Sequence, residues 1–177
     1  MIRFTASTRA PTALALALVG AAGLAQAAPF KAVLLLPADD PRLERSRVER
    51  AYLGHPTGAV TDGLAAAIKE SRLELESAGA SLALETVTVT DAAQAKAAAL
   101  KAEKGGAVAL FTDLPADATL AVADAVKLPV LNLSAAGDRL PQQDCRPRLY
   151  HVTPSERMRA DALAQTLVSR KWTQLLL

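Results

Sequence analysis

The chain of 177 residues has a single cysteine, two histidines and few aromatic side chains, which make up 3% of the sequence. One cysteine forms no internal disulfide and supplies neither a CxxC redox pair nor a zinc site. We therefore expect Cys145 to be a small, buried apolar residue, with a reactive thiol as the alternative. The scarcity of aromatic rings argues against a base-stacking surface for single-stranded nucleic acid.

Several catalytic signatures are also missing from the sequence. His55 and His151 stand in unrelated contexts, without the spacing of metal ligands or of an acid–base pair. There is no GxGxxG fingerprint, no Walker loop and no GxSxG elbow. We therefore predict no cofactor, no metal ion, no catalytic residue and no enzymatic activity. A small exported hydrolase that uses Asp39, Asp113 or Ser134 is the weaker alternative.

Residues 1–27 have the features of a cleavable secretory signal. Two arginines precede an uncharged run rich in Ala and Leu, which is short for a membrane span and ends in Ala25-Gln26-Ala27. Cleavage there removes two arginines and no acidic residue, so the formal net charge falls from +2 to 0. We expect an exported protein whose neutral mature chain has no charge signal for nucleic acid.

The rest of the chain alternates between strand-like and helix-like patterns. Residues 31–37 and 107–113 are short apolar runs, typical of strands buried on both faces. Residues 81–90 and 128–134 indicate two further strands, and helical patterns separate the four. Parallel strands need crossover helices, and no hairpin signal is present. The sequence therefore predicts an α/β fold with a doubly wound parallel sheet.

Capping residues mark the ends of several predicted helices. A helix over residues 61–78 is followed by Gly79, and Asp91 precedes a second helix that ends at Gly105-Gly106. Pro154 and Ser155 precede the last helix, and residues 173–177 then begin another apolar strand. The last helix is expected to carry one apolar face formed by Met158, Ala162, Leu163 and Leu167.

Ligands of open parallel sheets bind beyond the carboxyl ends of the strands, which directs attention to three loops. After the first strand, Asp39 suits either a cation or an ordinary turn. After the third, Asp113 could meet a ligand or cap the next helix. After the fourth, Ser134 and the following amides could cradle an anion or form a tight turn. The candidate ligand-binding residues are Asp39, Asp113, Leu114, Ser134, Ala135, Ala136 and Gly137.

Three stretches carry a resemblance to a known family: PADDPRLERSRVERAYLG, TDLPADATLAVADA and DRLPQQDCRPRLYHVTPS. With the passage from VLNLSAAGDRL through RLYHVTPSERMRADALAQTLVSRKWTQLLL, the chain resembles the type I periplasmic binding proteins of ABC transporters, of which the branched-chain amino-acid-binding group is the nearest large class. The three stretches are more specifically similar to a subfamily of these proteins associated with PQQ-dependent alcohol dehydrogenase systems. The resemblance implies a periplasmic protein that binds a small-molecule solute between two lobes and docks on the membrane permease of an ABC transporter. A periplasmic sensor that signals to a membrane or dehydrogenase partner is the alternative.

The same resemblance implies a domain organisation. Residues 28–148 correspond to lobe 1, residues 149–153 to a hinge crossing, and residues 154–177 to the first helix and strand of a second lobe. The chain does not complete this lobe and is expected to be a C-terminally truncated fragment. The implied hinge residues are Tyr150, His151, Val152 and Thr153.

One departure from the family concerns the solute. Amino-acid-binding members hold the ligand with a Ser after the third strand and a Thr after the fourth. Here Leu114-Pro115 and Gly137 stand at the matching places. The resemblance therefore implies a small solute without specifying an amino acid.

Overall fold

A computed structural model describes residues 28–39, 58–172 and 174. The predicted secretory signal, His55 and residues 173 and 175–177 of the predicted last strand lie outside the described residues. The described strands are β1 (Ala28–Pro37), β2 (Ala80–Val89), β3 (Ala107–Thr112), β4 (Val130–Asn132) and β5 (Leu149–His151). The described helices are α1 (Val60–Glu70), α2 (Arg72–Ser77), α3 (Ala92–Lys104), α4 (Ala116–Ala125) and α5 (Glu156–Ser169).

The described strands form one parallel sheet in the order β2-β1-β3-β4-β5. The order runs outward from β1 in both directions, as it does in a doubly wound sheet. Helices α3 and α4 connect β2 to β3 and β3 to β4, whereas turns in residues 133–148 connect β4 to β5. The predicted α/β fold with a doubly wound parallel sheet is confirmed.

The apolar core lies between one face of the sheet and helices α3 and α4. The strands contribute large side chains such as Val33, Leu110 and Val130, and the fully buried residues of α3 are all alanines. Small side chains on the helix allow its backbone to pack close to the sheet. Leu34, whose side chain lies on the opposite face of β1 from Val33, is also fully buried. The prediction that the apolar run of β1, at residues 31–37, is buried on both faces is therefore confirmed.

Several predicted helix ends are confirmed, and one helix differs. The Asp91 carboxylate accepts a hydrogen bond from Gln94 N at 2.8 Å, and Gly106 follows α3 with a φ of +78°. The helix predicted over residues 61–78 is divided into α1 and α2 at Ser71, where ψ is 1°. Serine competes for backbone hydrogen bonds and is a weaker helix former than the alanines before it, in keeping with a break at this position.

Two surface features contradict the predictions. Cys145 is exposed, not buried, because it lies in the turn-rich β4–β5 connection next to Arg146, whose side chain is paired with Asp124 at the surface. The exposed apolar side chains of α5 include Met158, Leu163 and Val168. At five-residue spacing their directions differ by roughly 140° around the helix, so the single apolar face that we predicted is absent from α5.

Candidate functional site

The carboxyl ends of β1, β3, β4 and β5 are joined along one edge of the sheet. In each case the residue after a strand donates its backbone N–H to a carbonyl of the neighbouring strand, at 2.8–3.0 Å. These bonds are Ala38 N to Val89 O, Asp113 N to Leu35 O, Leu133 N to Thr112 O, and Val152 N to Asn132 O. The three loops with the predicted ligand-binding residues and the predicted hinge segment therefore start from the same edge.

The candidates in the first two loops differ in exposure. Asp39 is exposed just after β1. Asp113 is buried at the end of β3, and the Leu114 side chain belongs to the apolar core. The Leu114 carbonyl accepts a hydrogen bond from the Thr119 hydroxyl at 3.3 Å. The Leu114 side chain therefore packs in the apolar core and is not available to a ligand at the edge of the sheet.

Asn132, the last residue of β4, determines the shape of the third loop. Its side chain is fully buried, and Oδ1 accepts hydrogen bonds from Ser134 N at 3.2 Å and Ala135 N at 2.9 Å. Nδ2 donates to Ala135 O at 2.6 Å and lies 3.1 Å from His151 Nδ1 on β5. Sequence reasoning missed Asn132. An Asn at a strand end often forms a turn in which its side chain bonds to the backbone two residues later, here at Ser134. This pattern was the sequence signal that could have identified Asn132.

The hydrogen bonds to Asn132 leave fewer amides of the predicted anion cradle for a ligand. Ser134 N and Ala135 N already donate to Asn132, so they are not available to a ligand. No described hydrogen bond involves the N–H of Ala136 or Gly137, and these two residues form one wall of a pocket. Of the predicted cradle, the part that remains open to a ligand is therefore residues 136 and 137.

The pocket lies between the β4–β5 connection and the segment that leads from β5 into α5. It has a volume of about 450 Å³, which is within the range of small-molecule sites. Most of its lining is apolar. The described lining residues are Ala135, Ala136, Gly137, Pro141, His151, Val152, Thr153, Pro154, Ser155 and Met158. Sequence reasoning did not single out Pro141 and Met158 for this site, because their positions depend on the fold of the connection.

The N-terminus of α5 is fastened to the same loop. Glu156 N donates to Ala136 O at 2.9 Å, and Arg157 N donates to the Asp138 carboxylate at 3.0 Å. The Ser155 hydroxyl, which caps the helix by accepting from Met158 N, also donates to Asp138. The Ser155 hydroxyl, followed by Arg157 N, lowers the pKa of Asp138 below its usual value. Because these amides already have partners, this helix end is not an anion site.

The predicted hinge residues are partly constrained. Tyr150 and His151 belong to β5 and pair with Leu131 and Asn132 of β4. The Val152 N–H is bonded to β4 as well. Among the predicted hinge residues only Thr153 lies beyond this pairing, and its hydroxyl oxygen is buried with no hydrogen-bond partner among the described residues. A hinge in this segment would have to turn at residues 153 and 154.

Metal clusters and membrane-spanning helices are both absent from the part of the chain that the structure describes. Among the described residues, no group of three or more His, Cys, Asp and Glu side chains is placed to hold a metal ion. None of the described helices is long and apolar enough to cross a bilayer. The candidate site is an apolar pocket with a few polar groups.

Several solved structures resemble this chain, among them those of three binding proteins. A periplasmic binding protein from Burkholderia mallei aligns over 81% of the chain with 16% identity and a TM-score of 0.55. The leucine-, isoleucine-, valine-, threonine- and alanine-binding protein from Brucella ovis, in its closed conformation, aligns over 81% with 15% identity and a TM-score of 0.56. An ABC transporter substrate-binding protein from Desulfitobacterium hafniense aligns over 80% with 14% identity and a TM-score of 0.51.

The extent of these matches defines what they show. The chain spans 36%, 37% and 39% of the length of the three solved proteins. Neither a family model nor a curated protein sequence matches the chain. At this level of identity the likeness concerns the fold. The five described strands form a parallel α/β fold like that found in part of each of these three binding proteins.

Proposed function

We propose that this chain is the first-lobe part of an exported solute-binding protein of an ABC-type uptake system. The observation that carries the proposal is the apolar pocket of about 450 Å³ beside the carboxyl edge of the sheet, lined by residues 135–137. In open parallel sheets this edge is where small ligands bind. The solved structures with a similar fold, which are named as binding proteins, support the proposal that the chain binds a solute.

The pocket favours a small solute with an apolar body. Ala135, Pro141, Val152 and Met158 line it, and polar groups are few. Burial of apolar solute surface would supply most of the binding free energy, at about 25 cal/mol per Å². The polar groups would select among solutes of similar size, since an unpaired polar group in an apolar pocket is costly.

The remaining parts of the proposal come from the sequence resemblance. They are export to the periplasm through cleavage of residues 1–27, a second lobe that closes over the solute, docking on a membrane permease, and a link to PQQ-dependent alcohol oxidation. N-terminal sequencing of the exported protein tests the cleavage. Stabilisation by alcohols or aldehydes, but not by amino acids, would support the link to alcohol oxidation.

The central test is a thermal-shift screen against short carboxylates, alcohols, aldehydes and amino acids, with a variant that fills the pocket. Gly137 lines the pocket, and a Cβ added there meets no atom within 4 Å, so Gly137→Leu narrows the pocket without a clash at the backbone. Gly63→Leu is the matched control, because Gly63 lies in α1, outside this pocket, and also has nothing within 4 Å.

We expect a compound that raises the melting temperature of the wild type and of Gly63→Leu but not of Gly137→Leu. At a concentration 100-fold above its Kd, such a ligand stabilises the folded state by about 2.7 kcal/mol. A folded protein that no compound stabilises would argue against solute binding by the chain. Equal stabilisation of both variants would place the site elsewhere.

A further inference from the structure

The neighbours of the Asn132 side chain determine which of its atoms is oxygen and which is nitrogen. A backbone N–H can only donate and a carbonyl can only accept. The atom that faces Ser134 N and Ala135 N is therefore the oxygen, and the atom 2.6 Å from Ala135 O is the nitrogen. A flipped amide would lose all three of these hydrogen bonds.

This orientation fixes the protonation of His151. Asn132 Nδ2 can only donate and lies 3.1 Å from His151 Nδ1, so in this hydrogen bond Nδ1 accepts and carries no proton. A neutral imidazole has one proton, which is then on Nε2, at the side of the ring away from Asn132. Burial lowers the pKa of His151 below its ordinary value of 6.5, which also favours the neutral ring.

The ring of His151 also lines the pocket, where it differs from its neighbours. It is the one titratable side chain among the described lining residues. The nearby carboxylate of Asp138 is already bound by the Ser155 hydroxyl and Arg157 N. His151 therefore brings to a mostly apolar pocket a ring whose one N–H is on Nε2 and whose pKa is lowered by burial.

We infer that His151 is a specificity-determining residue, which donates its Nε2–H to an oxygen acceptor of the solute and selects carboxylates or carbonyl compounds over amines. An ammonium group has donors only, so it cannot pair with this N–H and would have to be desolvated against it. The inference rests on the proposed function, which it deepens by naming the chemical class of the solute.

The first experiment measures the ring itself on the full chain. Long-range ¹H–¹⁵N NMR distinguishes the two neutral tautomers of histidine, and a His55→Gln variant separates the two histidine signals. We expect the Nε2–H tautomer for His151 in the wild type and a mixture in Asn132→Ala. A predominant Nδ1–H tautomer in the wild type would overturn the inference, whatever the protein binds.

The second experiment compares two probes of the same shape, 3-methylbutanoate and 3-methylbutylamine, by calorimetry and by shifts of the His151 signals. We expect the carboxylate to bind at least about tenfold more tightly, the effect of one hydrogen bond to a charged group. His151→Phe, which keeps an aromatic ring but lacks the nitrogens, should weaken the carboxylate about tenfold and leave the amine unchanged.

The outcomes separate the two proposals. If both probes bind equally and His151→Phe changes neither affinity, while Gly137→Leu abolishes both, solute binding stands and the role of His151 is refuted. If neither probe moves the His151 signals nor binds, the pocket does not recognise acceptors of this class. That result overturns the inference, and the wider screen described above then decides the proposed function.

Discussion

Replacing Asn132 by alanine tests whether this side chain holds the site together. The fully buried amide makes four hydrogen bonds, three to the backbone of residues 134 and 135 and one to His151. Each is worth about 1 kcal/mol net. Because residues 134 and 135 are only half-buried, water can replace part of what is lost. We therefore expect Asn132→Ala to lower the free energy of unfolding by about 2–4 kcal/mol.

Urea unfolding followed by circular dichroism measures this change. With an m-value of about 2 kcal/mol/M, the midpoint should fall by about 1–2 M. Ser134→Ala is the matched control, because no described hydrogen bond involves the Ser134 hydroxyl. Its effect should stay within about 0.5 kcal/mol. If Asn132→Ala is no more damaging than this control, the amide does not organise the loop and the reasoning about His151 loses its basis.

Three other changes should have distinct effects. Gly106→Ala should lower the free energy of unfolding by about 1–2 kcal/mol, measured by urea unfolding, because Gly106 has a φ of +78° and a Cβ there meets nothing within 4 Å. Asp138→Ala should speed hydrogen exchange at the Arg157 amide, since it removes the side-chain oxygen that accepts this N–H, and unchanged protection would contradict the role of Asp138 in holding the start of α5. Burial lowers the pKa of His151 below 6.5, so its contribution to stability is complete above pH 6.5 and is lost as the pH falls toward the lowered pKa. The urea midpoint should therefore fall with pH in this range less steeply in His151→Phe than in the wild type, and equal slopes would argue against a lowered pKa of His151.

The fold could be predicted from local patterns because its main signals are local. The apolar run of β1 indicated burial on both faces, and Asp91 and Ser155 marked the helix starts that they cap. These signals depend on residues within a few positions of each other. The break at Ser71 was not predicted, because residues on both sides of it favour helix.

The site could be predicted only in outline. The sequence placed the loop after β4 at the ligand edge, since the carboxyl ends of parallel strands share one edge. It did not indicate that Asn132 would pair with a histidine 19 positions away, or that Leu114 would turn into the core. Both facts follow from strand register and from the path of the β4–β5 connection, which no short-range pattern encodes.

Hydrogen bonds join the loop after β4, which lines the pocket, to the N-terminus of α5. Solute binding in the pocket and movement of the helix would therefore affect each other. The carbonyl of Ala136, which lines the pocket, accepts a hydrogen bond from Glu156 N at the start of α5. The carboxylate of Asp138 accepts one from Arg157 N, the next amide of the helix. A solute that shifts residue 136 therefore changes the free energy of tilting α5, and a force that tilts α5 changes the affinity by the same amount. A structure joined to the C-terminal end of α5 would therefore be coupled to the occupancy of the pocket through the orientation of this helix.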